Sequence, residues 1–321
     1  MHISHGTQHK VTASNNGYGY ATENIIASLE RLGHSVTQND PTADVQIWFD
    51  QPHHWKWNKG QYRIGYLPWE STHLHTGWHD IMNNTDEIWT PSHKIAKWFR
   101  EDGIRVPIHV YEHGVSPDWT PVEKSLDGPM VFGNFGGEAV RKSLHILMPT
   151  FRAAFHDKPK NDVKLVLKMQ NPNWNIPDFG RIQVINNQIP LPELIKLMQS
   201  FNAYVYPSYG EGFSLTPLQA LATATPVITT PATVCYEQYL EDNLCVDSTL
   251  RPSPWQKLHP GKMYAPDKDS LIDALRYAYD NRQEVTQRAA KQRETLMQDY
   301  DWDTLTKRAF TALESRLRVQ K

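Results

Sequence analysis

Cysteine is scarce: Cys235 and Cys245 alone stand among 321 residues. Two thiols in so long a chain exclude a disulfide framework and leave the fold to hydrophobic burial. No apolar run reaches the about 18 residues of a membrane-spanning helix. Met1 to Lys10 is polar and histidine-rich, unlike a secretory signal. Charge of neither sign prevails. Lys plus Arg is 33 and Asp plus Glu is 35, a net charge of −2, which argues against a nucleic-acid footprint over the whole protein but not against a local one. With 21% charged and 39% hydrophobic residues, disordered and fibrous compositions are excluded as well. The expectation is a soluble, reduced, cytoplasmic protein. At roughly 150 residues per domain, two domains are predicted.

What is present is an alternation of short strands and helices. Val45–Phe49, Tyr62–Leu67, Glu87–Thr90 and Ile108–Tyr111 favour β structure. Ile25, Ile26, Leu29 and Leu32 recur at helical spacing before Gly33, and Ser92–Asp102 reads as a second helix ending at Gly103. Ser116–Pro121 and Leu126–Pro129 are turn-rich. Beyond them, strands are predicted at 130–132, 163–168, 181–185, 204–206 and 227–229, with helices at 143–155, 194–201 and 215–222. Further helices follow Pro266 and run from Thr304 to Val319. Strands alternating with helices imply parallel sheets covered on both faces, α/β in class. The domains are set at 1–125 and 126–300, with 301–321 as a C-terminal helix. Two such domains in tandem imply a cleft lined by the carboxyl ends of the strands.

The stretch Pro207-Ser-Tyr-Gly-Glu-Gly-Phe-Ser-Leu-Thr-Pro-Leu-Gln-Ala-Leu221 carries the most chemistry. A strand ends, a loop with two glycines follows, and a helix begins. Glycines allow close approach of backbone to a ligand, and the free N–H groups near Phe213 to Leu215 attract phosphate. The carboxylate of Glu211 suits hydroxyl groups. Together they fit a sugar phosphate; an ordinary strand-to-helix turn is the plain alternative.

The run from Glu211 through Gln219-Ala-Leu-Ala-Thr-Ala-Thr-Pro-Val-Ile-Thr229 resembles the signature of glycosyltransferase family 4. Asn16-Gly17-Tyr18-Gly19 is similar to that family's N-terminal glycine loop, and Gly65-Tyr-Leu-Pro-Trp-Glu70 to a segment of one branch. Trp89-Thr-Pro-Ser92 and His113-Gly-Val115 resemble the end of its N-domain. The resemblance implies a GT-B fold, with two Rossmann-like doubly wound domains facing a cleft. It implies a retaining hexosyl- or pentosyltransferase that uses a nucleoside diphosphate sugar, with no metal or other cofactor.

Carried over residue by residue, Glu211 contacts the donor sugar and Gly212, Phe213, Ser214 and Leu215 face sugar and pyrophosphate. Gly17 and Gly19 join the donor-binding set. The family's second carboxylate is here Gln219, which offers an uncharged amide to the ribose. Its Gly-Arg is here Gly133-Asn134, so Asn134 takes that place in the donor-binding set, and Arg141 beside the family lysine, Lys142, is the candidate replacement for the arginine. Two cations and helix N-termini can stabilise a departing nucleoside diphosphate. Glu70 is the candidate contact from the acceptor side. His73 follows it, and Trp55, Trp57 and Trp69 complete the candidate acceptor set. The segment His53 to Arg63 interleaves bases with aromatics, which suits a saccharide or nucleic acid.

The acceptor is therefore a glycan, a small molecule, or a hydroxymethylated base of phage DNA, since small members of the family occur in bacteriophages. Two other readings stand beside transfer. One is a degenerate GT-B domain that binds sugar nucleotides or glycans; the other is a hydrolase or epimerase on the same fold. Asp301-Trp-Asp303 has the form of a metal motif, but its place before a helix suits capping. His5/His9 and His75/His79 have a zinc spacing without a third ligand.

Overall fold

The computed structural model describes residues 1–6, 17–136, 140–169 and 180–319. They pack as two units. The first comprises Met1–Ser116, Pro252–Met263 and Gln298–Lys321; the second comprises Pro117–Arg251 and Tyr264–Met297. The change of unit at 116/117 lies within the turn-rich stretch, nine residues before the 125/126 division set from sequence. Residues 252–263, assigned from sequence to the second domain, pack with the first.

The first unit holds strands β1 (His2–Gly6), β2 (Ser35–Gln38), β3 (Val45–Phe49), β4 (Tyr62–Tyr66), β5 (Glu87–Thr90) and β6 (Ile108–Val110). Helices α1 (Gly17–Arg31), α2 (Trp78–Asn83) and α3 (His93–Glu101) lie between them in sequence. The strands form one parallel sheet in the order β2-β1-β3-β4-β5-β6. Every residue of β3 and β5 is buried, as expected where both faces of a parallel sheet are covered. Ser92 caps α3 by accepting from the Ile95 N–H, and Gly33, at φ +84°, turns the chain out of α1.

The second unit holds β7 (Met130–Phe135), α4 (Leu144–Ala154), β8 (Val163–Lys168), β9 (Ile182–Ile185), α5 (Leu191–Gln199), β10 (Ala203–Tyr206), α6 (Leu215–Ala222) and β11 (Val227–Thr229). Its sheet is also parallel, in the order β11-β10-β7-β8-β9. Strands β12 (Ser248–Pro252) and β13 (Lys262–Pro266) pair as a separate ribbon. Helices α7 (Lys268–Asp280), α8 (Arg282–Asp299) and α9 (Trp302–Val319) close the chain. The core of this unit joins Phe132, Leu165 and Val205 of the sheet to Leu147 and Phe151 of α4 and to Leu271 and Leu275 of α7.

Helix α9 belongs to the first unit and packs on α1. The Oδ2 of Asp301 accepts from the Thr304 N–H at 2.8 Å, which is the capping reading of the Asp-Trp-Asp sequence. Asp303 receives Ser28 Oγ and the Arg31 guanidinium of α1. Both carboxylates are therefore engaged in holding α9.

Candidate functional site

In the second sheet the chain winds outward in both directions from the adjacent strands β7 and β10. In an open α/β sheet, ligands bind outside the carboxyl ends of the strands at such a switch point. Two segments leave the sheet there. One follows β7 and carries Arg141 and Lys142 into α4; the other follows β10 and carries Glu211 into α6. Tyr209 N–H donates to the Arg141 carbonyl at 2.9 Å and pins the two together.

Glu211 is the hub. Its side chain is 8% exposed. Oε1 accepts from Arg141 Nη1 at 2.7 Å, Ser208 Oγ at 2.7 Å and Tyr206 Oη at 3.0 Å. Lys142 Nζ lies 3.2 Å from Oε1. Arg141 also donates to the Gly210 carbonyl, and Lys142 to the Tyr206 hydroxyl. Burial pushes the Glu211 pKa up, but Arg141 and Lys142, with the Ser208 and Tyr206 hydroxyls, outweigh it and hold the carboxyl at about 2. Glu211 is thus an ionised carboxylate throughout the physiological range. Sequence reasoning paired Glu211 with the two cations only through the resemblance. It missed Tyr206 and Ser208, whose position on the exit of β10 was the available signal.

Both helices at this edge start without a side-chain cap. The N-cap residues Ser143 of α4 and Ser214 of α6 sit at φ +61° and +72°, in the left-handed region. Such conformations in a residue other than glycine cost about 1–3 kcal/mol and cluster at ligand clamps. Ser214 Oγ donates to the Thr233 carbonyl at 3.0 Å instead of capping its helix. The first N–H groups of α6 therefore face an arriving anion without a competing side chain. Gly212, Phe213 and Ser214 are buried in this turn, and Leu215 is half-buried. Gln219, 6% exposed, lies further along α6.

Three expected residues are buried. Asn134, expected at the donor, is fully buried, and its Nδ2 donates to the Val205 carbonyl at 2.6 Å. That bond bridges β7 to β10, while Oδ1 is buried without a hydrogen-bond partner among the described residues. Trp55 and Trp69, expected as open platforms, are core residues at 8% and 3% exposure. Their indole N–H groups donate to the carbonyls of Asp50 at 2.9 Å and His73 at 2.8 Å. Trp57 is half-buried edge-on to Trp55, and His73 is exposed.

Gly17 and Gly19 open α1 in the first unit, Gly17 exposed and Gly19 buried; Asn16 and His9 lie outside the described residues. Glu70 follows β4, with Oε2 at 3.7 Å from Nδ1 of His259 on the tip of the β12–β13 ribbon. The Thr72 N–H donates to the Lys262 carbonyl at 3.1 Å, and the ribbon was not foreseen from sequence. His79 is held by Asp102 at 2.9 Å, and no group of three metal-ligating side chains occurs among the described residues. No helix there is long and apolar enough to cross a membrane.

Residues 130–280, which lie within the second unit apart from the tip of the β12–β13 ribbon, match the family described as Glycosyl transferases group 1. The O-antigen chain mannosyltransferase RfbU of Salmonella typhimurium is 32% identical over 101 residues, covering 31% of this chain and 28% of the relative. The chain thus matches little more than a quarter of that relative. Sucrose-phosphate synthase of Thermosynechococcus elongatus superposes over 100% of this chain and 99% of its own, with TM-score 0.73 and 14% identity. Anabaena HepE, solved in complex with UDP-glucose, superposes over 98% and 100%, with TM-score 0.72 and 13% identity. These likenesses are of fold: two Rossmann-like α/β domains of the GT-B class.

Proposed function

We propose that this chain transfers a sugar from a nucleoside diphosphate donor to an acceptor hydroxyl, with retention at the anomeric carbon and without a bound metal. The observation that carries the reading is Glu211, buried and ionised between Arg141 and Lys142 at the switch point of the group 1 domain. A fixed carboxylate accepts hydrogen bonds from sugar hydroxyls and orients the ring. Two cations and an uncapped helix N-terminus suit the charge that grows on the leaving diphosphate, in the role a metal fills elsewhere. In the step itself, the bond from the anomeric carbon to the phosphate oxygen breaks. The acceptor oxygen bonds to the same face of that carbon, and its proton passes to the departing phosphate.

A saccharide or other polyol is the acceptor we favour over modified DNA. Trp55 lies in the core, and Arg63 is paired with Asp86 at 3.1 Å. That leaves segment 53–63 with fewer open rings and free cations than its sequence offers for a nucleic-acid groove.

The test is thermal shift of the purified protein against UDP, GDP, ADP, dTDP and CDP in EDTA, followed by donor turnover with saccharide, lipid and hydroxymethylated-DNA acceptors. A ligand at 100 times its Kd adds about 2.7 kcal/mol of stability. One nucleotide that shifts, and turnover in EDTA that Glu211→Ala abolishes, are expected. Turnover that survives Glu211→Ala, or that requires a divalent cation, overturns the reading. Binding without turnover on any acceptor supports a sugar-nucleotide binding protein instead.

A further inference from the structure

Two lysines are buried in the second unit, and their surroundings differ. Lys124 is 8% exposed and donates to the Gln199 carbonyl at 2.8 Å and to Thr225 Oγ1 at 2.7 Å. It ties the segment before β7 to the ends of α5 and α6. Lys168 is 7% exposed and, among the described residues, donates to the carbonyl of the next residue alone, Met169, at 2.8 Å. An ammonium has three donors, and no carboxylate lies within 4 Å of this one among the described residues. A buried charge without a counter-charge is unfavourable unless something else engages it. Burial accordingly holds its pKa below the ordinary lysine value.

The position of Lys168 is as telling as the absence of a counter-charge among the described residues. It is the last residue of β8, in register with Phe135 of β7 and Ile185 of β9. It therefore stands on the same carboxyl edge as the Glu211 site. Along that edge the order is the β10 exit with Glu211, the β7 exit with Arg141 and Lys142, then the end of β8 with Lys168. Neighbouring strands are about 4.8 Å apart, so Lys168 lies roughly 10 Å across the edge from the Glu211 strand. If Glu211 takes the sugar and the paired cations take the diphosphate, the next group met along the edge is the nucleoside.

Resting on the donor reading above, we propose that Lys168 reads the nucleobase, donating from its ammonium to a ring keto oxygen. Uracil, thymine and guanine present such an oxygen; adenine does not. The residue thereby selects among nucleotides, a task that neither Glu211 nor the two cations can perform, because every donor carries the same diphosphate.

The experiment is calorimetric titration of UDP, GDP, ADP and inorganic pyrophosphate into wild type, Lys168→Met and Lys168→Gln, each melted first without ligand. A hydrogen bond from a charged group is worth about 1.5–3 kcal/mol, roughly a ten- to hundredfold change in Kd. Lys168→Met is expected to weaken the preferred keto-base nucleotide by at least about tenfold while leaving ADP and pyrophosphate within about twofold. Lys168→Gln, which keeps a donor, is expected to recover part of the loss. Unliganded Lys168→Met is expected to melt at or above wild type, since it removes a buried uncompensated charge. Equal losses for UDP, ADP and pyrophosphate overturn the inference in favour of a phosphate contact. Unchanged affinities, a wild type that prefers ADP, or a lowered melting temperature also overturn it. The donor reading fails separately: by a wild type that binds no nucleoside diphosphate, or by an Arg141→Ala/Lys142→Ala variant with undiminished UDP affinity.

Discussion

Replacing Glu211 by Gln keeps the shape of the side chain and removes its charge. Arg141 and Lys142 then remain on a buried site without their counter-charge. A carboxyl whose pKa falls from an ordinary 4.5 to about 2 on folding contributes about 3 kcal/mol to stability. Removing one partner of a buried ion pair typically costs about 3–5 kcal/mol, in agreement. In a unit of this size, 1 kcal/mol moves the melting temperature by about 2–4 °C, so a decrease of roughly 6–12 °C is expected at pH 7. The sign fixes the pH dependence. A lowered carboxyl pKa stabilises fully above the unfolded value and is lost as pH falls toward the folded one. The gap between wild type and Glu211→Gln should therefore hold from pH 7 to about 5 and close between about 4.5 and 2. Calorimetric melts across that range measure it directly. Titration of UDP into the same variant adds a second readout: diphosphate affinity should hold or increase, because Glu211 no longer occupies the two cations, while turnover is lost. A gap that is absent at pH 7, or that persists unchanged at pH 2.5, would refute the electrostatic account of this site.

Two predictions concern the first unit. Burial lowers the pKa of His5 to about 4 and of His113 to about 3, so both are neutral when folded and bind protons on unfolding below about pH 6.5; stability should fall with pH, by about 3 kcal/mol at pH 4 from His5 alone. Urea midpoints between pH 7 and 4 test this, and His5→Leu, set among Ile3, Ile25, Leu29 and Ile47, should flatten part of the dependence; a wild-type profile that is already flat refutes it. A methyl group at Gly65 would meet the Trp55 ring at 2.2 Å, so Gly65→Ala should destabilise by about 1–3 kcal/mol through overpacking, and Trp55→Leu should restore part of the loss, whereas an unchanged melting temperature in Gly65→Ala would contradict the packing described.

The alternation of strand and helix was legible because buried parallel strands are short apolar runs, and β3, β8 and β11 are mostly apolar. The missed elements have weaker patterns. Strand β1 reads His-Ile-Ser-His-Gly, and its burial comes from neighbours on both sides rather than from its own composition. Helix α8 buries only Val285, Ala289 and Leu296 over 18 residues, too thin a stripe to register as amphipathic. The β12–β13 ribbon needed its Pro and Gly punctuation read as a hairpin.

Glu211, Arg141 and Lys142, which the fold brings together, were legible in the sequence through the family resemblance. Trp55 and Trp69 were expected as open platforms and lie in the core for a plain reason. Residue type states what a side chain can bond, but only the fold decides whether its partner is a ligand or the next strand. Lys168 escaped notice because one lysine ending a strand carries no sequence signal until its burial is known.

Neither unit is a continuous stretch of chain; the backbone passes from one to the other at 116/117, 251/252, 263/264 and 297/298. That division sets an order on the ribosome. The second unit has all its residues once Met297 has emerged, whereas the first must wait for α9. Until then Trp89 and Tyr111 lack the ring of Phe310 that packs against them in the finished protein. The half of the molecule made first is thus the half completed last, and it is the half whose aromatic surface a holding chaperone would meet during synthesis.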